Sequence, residues 1–194
     1  MIILDNCCNS TYLDLLKNAA LGSENWNLKY PAGSPIEKRH LKLAIIDAQF
    51  IREPTLAGMA MGLLSMIYDV SSRDLFKPKV HWCGISMKDK YFPNNLHTDH
   101  ADHEEKDKFI KILGIINSDW EEEWGGGFFH IGTLNYIKPT SFCIFNPLEP
   151  HSAGEIFTDK KRFVIDYTVF RDQESMNDIM HPQLDDIKRQ REMR

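Results

Sequence analysis

The sequence is short of several things that assign a chain to a class at once. Its four cysteines (Cys7, Cys8, Cys83, Cys143) contain no C-x-x-C spacing, and the adjacent Cys7 and Cys8 do not suit a bridge in a small disulfide framework. Free thiols in a reducing cytosol are the expectation. No apolar run approaches the roughly 18 residues that a membrane helix needs. The opening stretch, MIILDNCCNS, has neither the basic region nor the long apolar core of a signal peptide. A soluble, cytoplasmic protein is therefore expected. Basic surplus is missing too: 23 Lys and Arg stand against 28 Asp and Glu, a net charge of -5 with pI near 5.9. That balance argues against nucleic acid as the main partner. There is no internal repeat and no low-complexity segment.

What remains is an ordinary globular composition, 42% apolar and 26% charged over 194 residues, long enough for one domain with its own core. Leu13, Leu16 and Ala20 recur at helical spacing after a Ser10 cap, with Gly22 as a stop. Residues 26–40 hold Pro31, Gly33 and Pro35 and read as a loop, and 41–51 as one strand. Pro54 opens a second helix, where Leu56, Met59, Ala60, Leu63, Leu64 and Ile67 form one apolar face. Its methionines fill gaps in packing. After Pro78 the texture changes to short strands at 79–87, 109–117, 127–132, 134–139, 141–147 and 162–170. Many short strands separated by Gly and Pro breaks predict a jelly roll. Residues 1–78 are then a helical and strand support, 79–170 the core and 171–194 a polar tail that forms a surface helix or frays.

Three points within residues 95–170 carry chemistry. His97 and Asp99 form an H-x-D pair in NNLHTDH, His151 follows in NPLEPHSAG, and Arg162 sits in KKRFVIDYTVF. On a strand, residues i and i+2 face the same side, so His97 and Asp99 can meet one ion. Two imidazoles and one carboxylate make a facial triad that leaves about three positions of an octahedral ion open. A permanently charged, planar guanidinium downstream suits a carboxylate. The run HTDHADH also contains His100-x-Asp102 and His103; the first pair is preferred because a charged, loop-like stretch follows the second. A structural zinc site would require four protein ligands, and His97, Asp99 and His100 are too close in sequence to predict such a cage.

These motifs, with IINSDWEEEWGGGFF and IKPTSFCIFNPLEPH, resemble the prolyl-4-hydroxylase-like branch of the Fe(II)/2-oxoglutarate oxygenases, including its small bacterial and phage members. The resemblance covers residues 95–170. It implies a double-stranded β-helix (jelly-roll, cupin-like) core with N-terminal helices packed on the sheet. It implies His97, Asp99 and His151 as iron ligands and Arg162 as the partner of the distal carboxylate of 2-oxoglutarate. Two departures stand out. Asp166 lies four residues beyond Arg162, where the family often has a hydroxyl residue, and FIKILGIIN lacks the tyrosine that often reaches the same carboxylate. Tyr91, Tyr136 and Thr168 are the candidates for that second contact, with Lys160 and Lys161 as substitutes for Arg162.

The implied chemistry is hydroxylation of a C–H bond with O2, coupled to conversion of 2-oxoglutarate to succinate and CO2; ascorbate is an auxiliary expectation. A prolyl residue in a protein or peptide is the substrate implied by resemblance, with Trp120 and Trp124 as walls of a peptide groove. Rival readings are a nucleobase or free small molecule, a cupin-type metal enzyme without a 2-oxo acid, and a non-catalytic jelly-roll module. Substrate selection is expected in the loops at 31–40, 87–96 and 101–108. A monomer or homodimer is expected, within the host cytoplasm if a phage encodes it.

Overall fold

The computed structural model describes residues 1–29, 40–48, 50–71, 79–90, 95–99 and 106–180. Its first helix, α1 (Ser10–Leu21), begins one residue earlier than the Ser10 cap predicts. Asn9 is the cap, and its side chain accepts from the Tyr12 N–H at 2.8 Å. Helix α2 (Pro54–Val70) starts with proline in its first turn and buries Leu56, Ala60, Leu63, Leu64 and Ile67. Among the described residues no helix is long and apolar enough to cross a membrane.

Strands β1 (Ile2–Leu4), β2 (Asn27–Lys29), β3 (His40–Asp47), β4 (Phe50–Ile51), β5 (Val80–Lys88), β6 (Phe109–Ile115), β9 (Phe142–Phe145) and β11 (Arg162–Phe170) form the larger sheet. It runs β1-β9-β6-β11-β5-β3-β2, with β4 paired to β3. β7 (Phe128–His130), β8 (Thr133–Asn135) and β10 (His151–Ala153) form a smaller sheet in the order β10-β7-β8. All the pairings are antiparallel. This is the double-stranded β-helix core, with the predicted helices on the outside of the larger sheet.

Alternation along the strands separates two jobs. Leu43, Ile85, Phe163, Ile165 and Tyr167 face the helices and join Leu13, Leu16 and Leu63 in the main core cluster. Each such buried side chain stabilises by roughly 1.5–3 kcal/mol. Tyr167 is fully buried, and its hydroxyl donates to the Ala60 carbonyl at 2.8 Å, which gives that polar atom a partner inside the apolar cluster. The opposite faces of β5, β6 and β11 turn toward the smaller sheet and bring Ser86, Lys88, Lys111, Leu113, Arg162 and Asp166 to the wall of one cavity. That cavity has a volume of about 420 Å³.

Three local expectations change. The strand expected at 41–51 is broken into β3 and β4, and Ala48 between them has φ of 45°. Residues 26–40 are not loop throughout, since β2 pairs with β3. β8 ends at Asn135 rather than continuing to 139, and Ile137 instead drops into a cluster with Phe128 and Phe145. At the C-terminal side, residues 173–180 are helical and seat Met176 and Ile179 on Phe109 and Phe170.

Candidate metal and co-substrate site

Residues 95–99 are not a strand, so alternation is not what aligns His97 with Asp99. A single antiparallel bridge ties His97 to His151. The His97 N–H donates to the His151 carbonyl at 3.0 Å, and the His151 N–H donates back at 2.9 Å. The Asp99 N–H then donates to the Pro147 carbonyl at 2.8 Å. These bonds fasten the H-x-D segment to β10 and to the turn that precedes it. One ligand atom from each of His97, Asp99 and His151 lies within 4.8 Å of the others. His97 Nε2 is 3.7 Å from Asp99 Oδ1, and His151 Nε2 is 3.7 Å from Asp99 Oδ2.

Both imidazoles are oriented for coordination. A carbonyl oxygen only accepts, so the Nδ1 of His97, 2.8 Å from the Asn95 oxygen, carries its proton. The Nδ1 of His151, 2.7 Å from the Glu149 oxygen, does the same. That leaves both Nε2 lone pairs facing Asp99, which is the arrangement of an imidazole metal ligand braced from behind. Phe145 and Phe128 enclose His151, with ring centroids at 4.8 and 5.8 Å. Burial lowers the His151 pKa, outweighing the pull of the Glu149 carbonyl and Asp99, so the ring stays neutral and able to coordinate. Burial also pushes the Asp99 carboxyl up, but the Lys111 ammonium, with the neighbouring imidazoles of His151 and His97 adding to its pull, prevails and holds it below its ordinary value.

Arg162 lies 2% exposed in the same cavity, and its Nε has no hydrogen-bond partner. Burial pushes its pKa down to about 10. Among the described residues it forms no ion pair. Gly125 and Gly126, both with φ of 73°, make the turn over it, and a side chain at Gly126 would stand 2.8 Å from Arg162 Cδ. The glycine-rich turn therefore presses on the stem of the arginine. An unpaired buried guanidinium at the wall of an open cavity is chemically suited to receive an anion.

The other predicted contacts are distributed differently. Thr168 is buried on the same face of β11 but does not line the cavity, because it lies beyond Asp166 and opposite Trp82. Tyr136 donates its hydroxyl to the Trp120 carbonyl at 3.0 Å and is not a lining residue either. Tyr91, His100, Asp102 and His103 lie outside the described residues. Lys160 covers the Trp124 ring at 3.4 Å, and Lys161 pairs with Asp89 at 3.3 Å; neither lines Arg162's cavity. Trp120 is buried against Trp124 and donates to the Gly125 carbonyl, a packing role.

Sequence reasoning missed Lys111. It is buried, 3.2 Å from Asp99 Oδ2 and 2.9 Å from Asp166 Oδ2. Burial lowers its pKa, but the two carboxylates overcome that and raise it. A lone lysine at a cavity-facing position in the apolar run FIKILGI was the available signal. Lys42, Ser86 and Lys88 also line the cavity unannounced.

No family model and no curated protein sequence matches the chain. Solved structures do. A 2OG-Fe(II) oxygenase family oxidoreductase from Burkholderia pseudomallei aligns at a TM-score of 0.65 with 13% identity, over 88% of this chain and 84% of that one. A prolyl hydroxylase from Trichoplax adhaerens, in complex with a hypoxia-inducible-factor peptide fragment, gives 0.59 and 14%, over 90% and 84%. HygX from Streptomyces hygroscopicus, with nickel and 2-oxoglutarate bound, gives 0.62 and 11%, over 87% and 82%. The fold is thus that of the 2-oxoglutarate, Fe(II) oxygenases.

Proposed function

We propose that this chain is a non-haem Fe(II), 2-oxoglutarate-dependent dioxygenase that hydroxylates a C–H bond. One observation carries the reading: two braced imidazoles and a carboxylate meet at one side of a cavity that an unpaired, buried arginine lines as well. The donors fit the metal. Two neutral nitrogens and one carboxylate oxygen suit a divalent first-row ion and leave positions for small molecules. The arginine fits the co-substrate, since a planar donor fork with no protein anion suits a carboxylate.

His97, Asp99 and His151 would hold Fe(II), and Arg162 would hold the distal carboxylate of 2-oxoglutarate. When bound, the metal supplies the coupled oxidation in which 2-oxoglutarate and O2 yield succinate and CO2 while one oxygen atom enters the substrate as a hydroxyl group. The chain contributes geometry around that chemistry. Asn95 and Glu149 fix the two imidazole rings, Phe128 and Phe145 exclude water from one side, and Gly126 confines the Arg162 stem. Residues 1–194 act as one oxygenase domain.

A prolyl residue in a protein or peptide is the substrate we assign, supported by the prolyl hydroxylases among the structural neighbours. A second reading has its own observation. The described lining holds Lys42 in addition to the cations assigned to the co-substrate and to Asp99 and Asp166, which favours a small anionic molecule.

The deciding experiment mixes the protein anaerobically with Fe(II) and 2-oxoglutarate and looks for the visible metal-to-ligand charge-transfer band. The band is expected in the wild type, absent in His97→Ala and weakened in Arg162→Ala. Iron binding without a band in the wild type would sink the oxygenase reading. Succinate release across proline-containing peptides and small carboxylic acids then separates the two substrate readings.

A further inference from the structure

The co-substrate pocket implied above has one recognised cation, Arg162, and the polar groups expected to assist it are elsewhere. Thr168 lies outside the lining, Tyr136 donates to a backbone carbonyl, and Leu113 is apolar. Asp166 is engaged through both oxygens by Lys111, at 3.0 and 2.9 Å. Across the sheet, however, Arg162 on β11 is the direct antiparallel partner of Lys88 on β5. Directly opposed residues of adjacent strands project to the same face with their side chains alongside each other. Both residues line the same cavity.

Resting on the oxygenase reading, we propose that Lys88 is the second cation for the distal carboxylate of 2-oxoglutarate and completes a two-strand clamp with Arg162. Two like charges opposite one another on neighbouring strands repel, and the repulsion grows as water is withdrawn. Here burial and the Arg162 charge together push the Lys88 pKa down to about 7. A carboxylate arriving between them reverses the sign of that interaction. It has two oxygens to share between a fork on one strand and an ammonium on the next. The Arg162 Nε, which lacks a partner, marks where such an anion is wanted. The neighbouring cross-strand pair, Val164 with Ser86, presents no charge, so the clamp is confined to one rung of the ladder.

The clamp is tested by binding rather than turnover, with Mn(II)-loaded protein kept anaerobic and titrated calorimetrically. The probes are 2-oxoglutarate and 2-oxobutyrate, which keeps the metal-chelating end but lacks the distal carboxylate. Lys88→Met is expected to weaken 2-oxoglutarate on the order of tenfold or more, the loss of one charge-assisted hydrogen bond. Its affinities for 2-oxobutyrate and for Mn(II) should stay at wild-type values, and Lys88→Arg should recover most of the loss. Equal weakening of both 2-oxo acids would assign Lys88 a structural role and overturn the clamp. So would wild-type affinity for 2-oxoglutarate in Lys88→Met. A wild-type protein that binds Mn(II) but not 2-oxoglutarate would remove the oxygenase reading and the clamp together, an outcome distinct from the other two.

Discussion

The ammonium nitrogen of Lys111 lies 3.0 and 2.9 Å from the two carboxylate oxygens of Asp166. The same nitrogen is 3.2 Å from Asp99 Oδ2, so Asp166 shares a cation with a carboxylate of the candidate metal centre. Asp166 therefore does not face the co-substrate as an uncompensated charge. Replacing it by asparagine leaves Lys111 with Asp99 alone, and a fully committed ammonium competes with the metal for that carboxylate. Asp166→Asn is expected to lower Mn(II) affinity on the order of tenfold, the scale seen when a metal ligand's outer support is changed. Adding Lys111→Met to that variant should recover the loss. An electron paramagnetic resonance titration of free Mn(II) measures both, and unchanged affinity in Asp166→Asn would confine the pair to a structural role.

Ligands that bind the folded chain must stabilise it. At a hundredfold excess over its dissociation constant, one ligand adds about 2.7 kcal/mol. For a chain of this length that corresponds to a rise in melting temperature of roughly 5–10 °C. Mn(II) alone should produce such a rise in the wild type and none in Asp99→Ala. Adding 2-oxoglutarate should produce a further rise that Arg162→Met removes. A thermal melt with a chelator control distinguishes these.

Much of this candidate site was readable from sequence because its main components are side-chain identities. His97, Asp99, His151 and Arg162 line one cavity, to which β11 of the larger sheet and β10 of the smaller one both contribute, and the Gly and Pro breaks foretold the many short strands that build it. What stayed hidden depends on register. Lys88 ends one strand and Arg162 begins another, and only their antiparallel pairing makes them neighbours. Lys111 went unremarked, since a charge inside an apolar strand gains its meaning from the two carboxylates that other segments supply. The H-x-D pair was predicted for a strand's reason and is held for another, by three backbone bonds around His97 and Asp99.

Gly126 tests how closely Arg162 is positioned. Its φ of 73° and the 2.8 Å approach of Arg162 Cδ to the place of a β-carbon both penalise any side chain. Gly126→Ala is expected to cost roughly 1–3 kcal/mol of stability, from left-handed backbone strain and crowding together. Arg162 must shift to accommodate the methyl group. Affinity for 2-oxoglutarate should therefore fall severalfold while Mn(II) affinity, set by residues elsewhere in the cavity, holds. Urea melts and calorimetry read the two effects separately. Loss of metal affinity in parallel would mean that the substitution disturbs the whole sandwich.

Lys88 gives the protein a pH dependence whose sign follows from its burial. Its pKa is pushed down to about 7 by burial and Arg162, with Lys42 adding to the repulsion and Asp166 and Asp99 opposing it. In the unfolded chain it returns to an ordinary lysine value near 10.4. Below pH 7 the residue is charged in both states, and the folded state bears the full cost of holding that charge. Between pH 7 and about 10 the folded chain has released a proton that the unfolded chain keeps, so this contribution to stability rises with pH. Urea midpoints measured from pH 6.5 to 9.5 should show that upward component in the wild type and lack it in Lys88→Met. Binding runs the other way. A carboxylate favours the charged lysine, so 2-oxoglutarate affinity should weaken as pH rises above 7, with a proton taken up on binding at pH 8. Calorimetry in two buffers of different ionisation enthalpy counts that proton, and Lys88→Met should take up none.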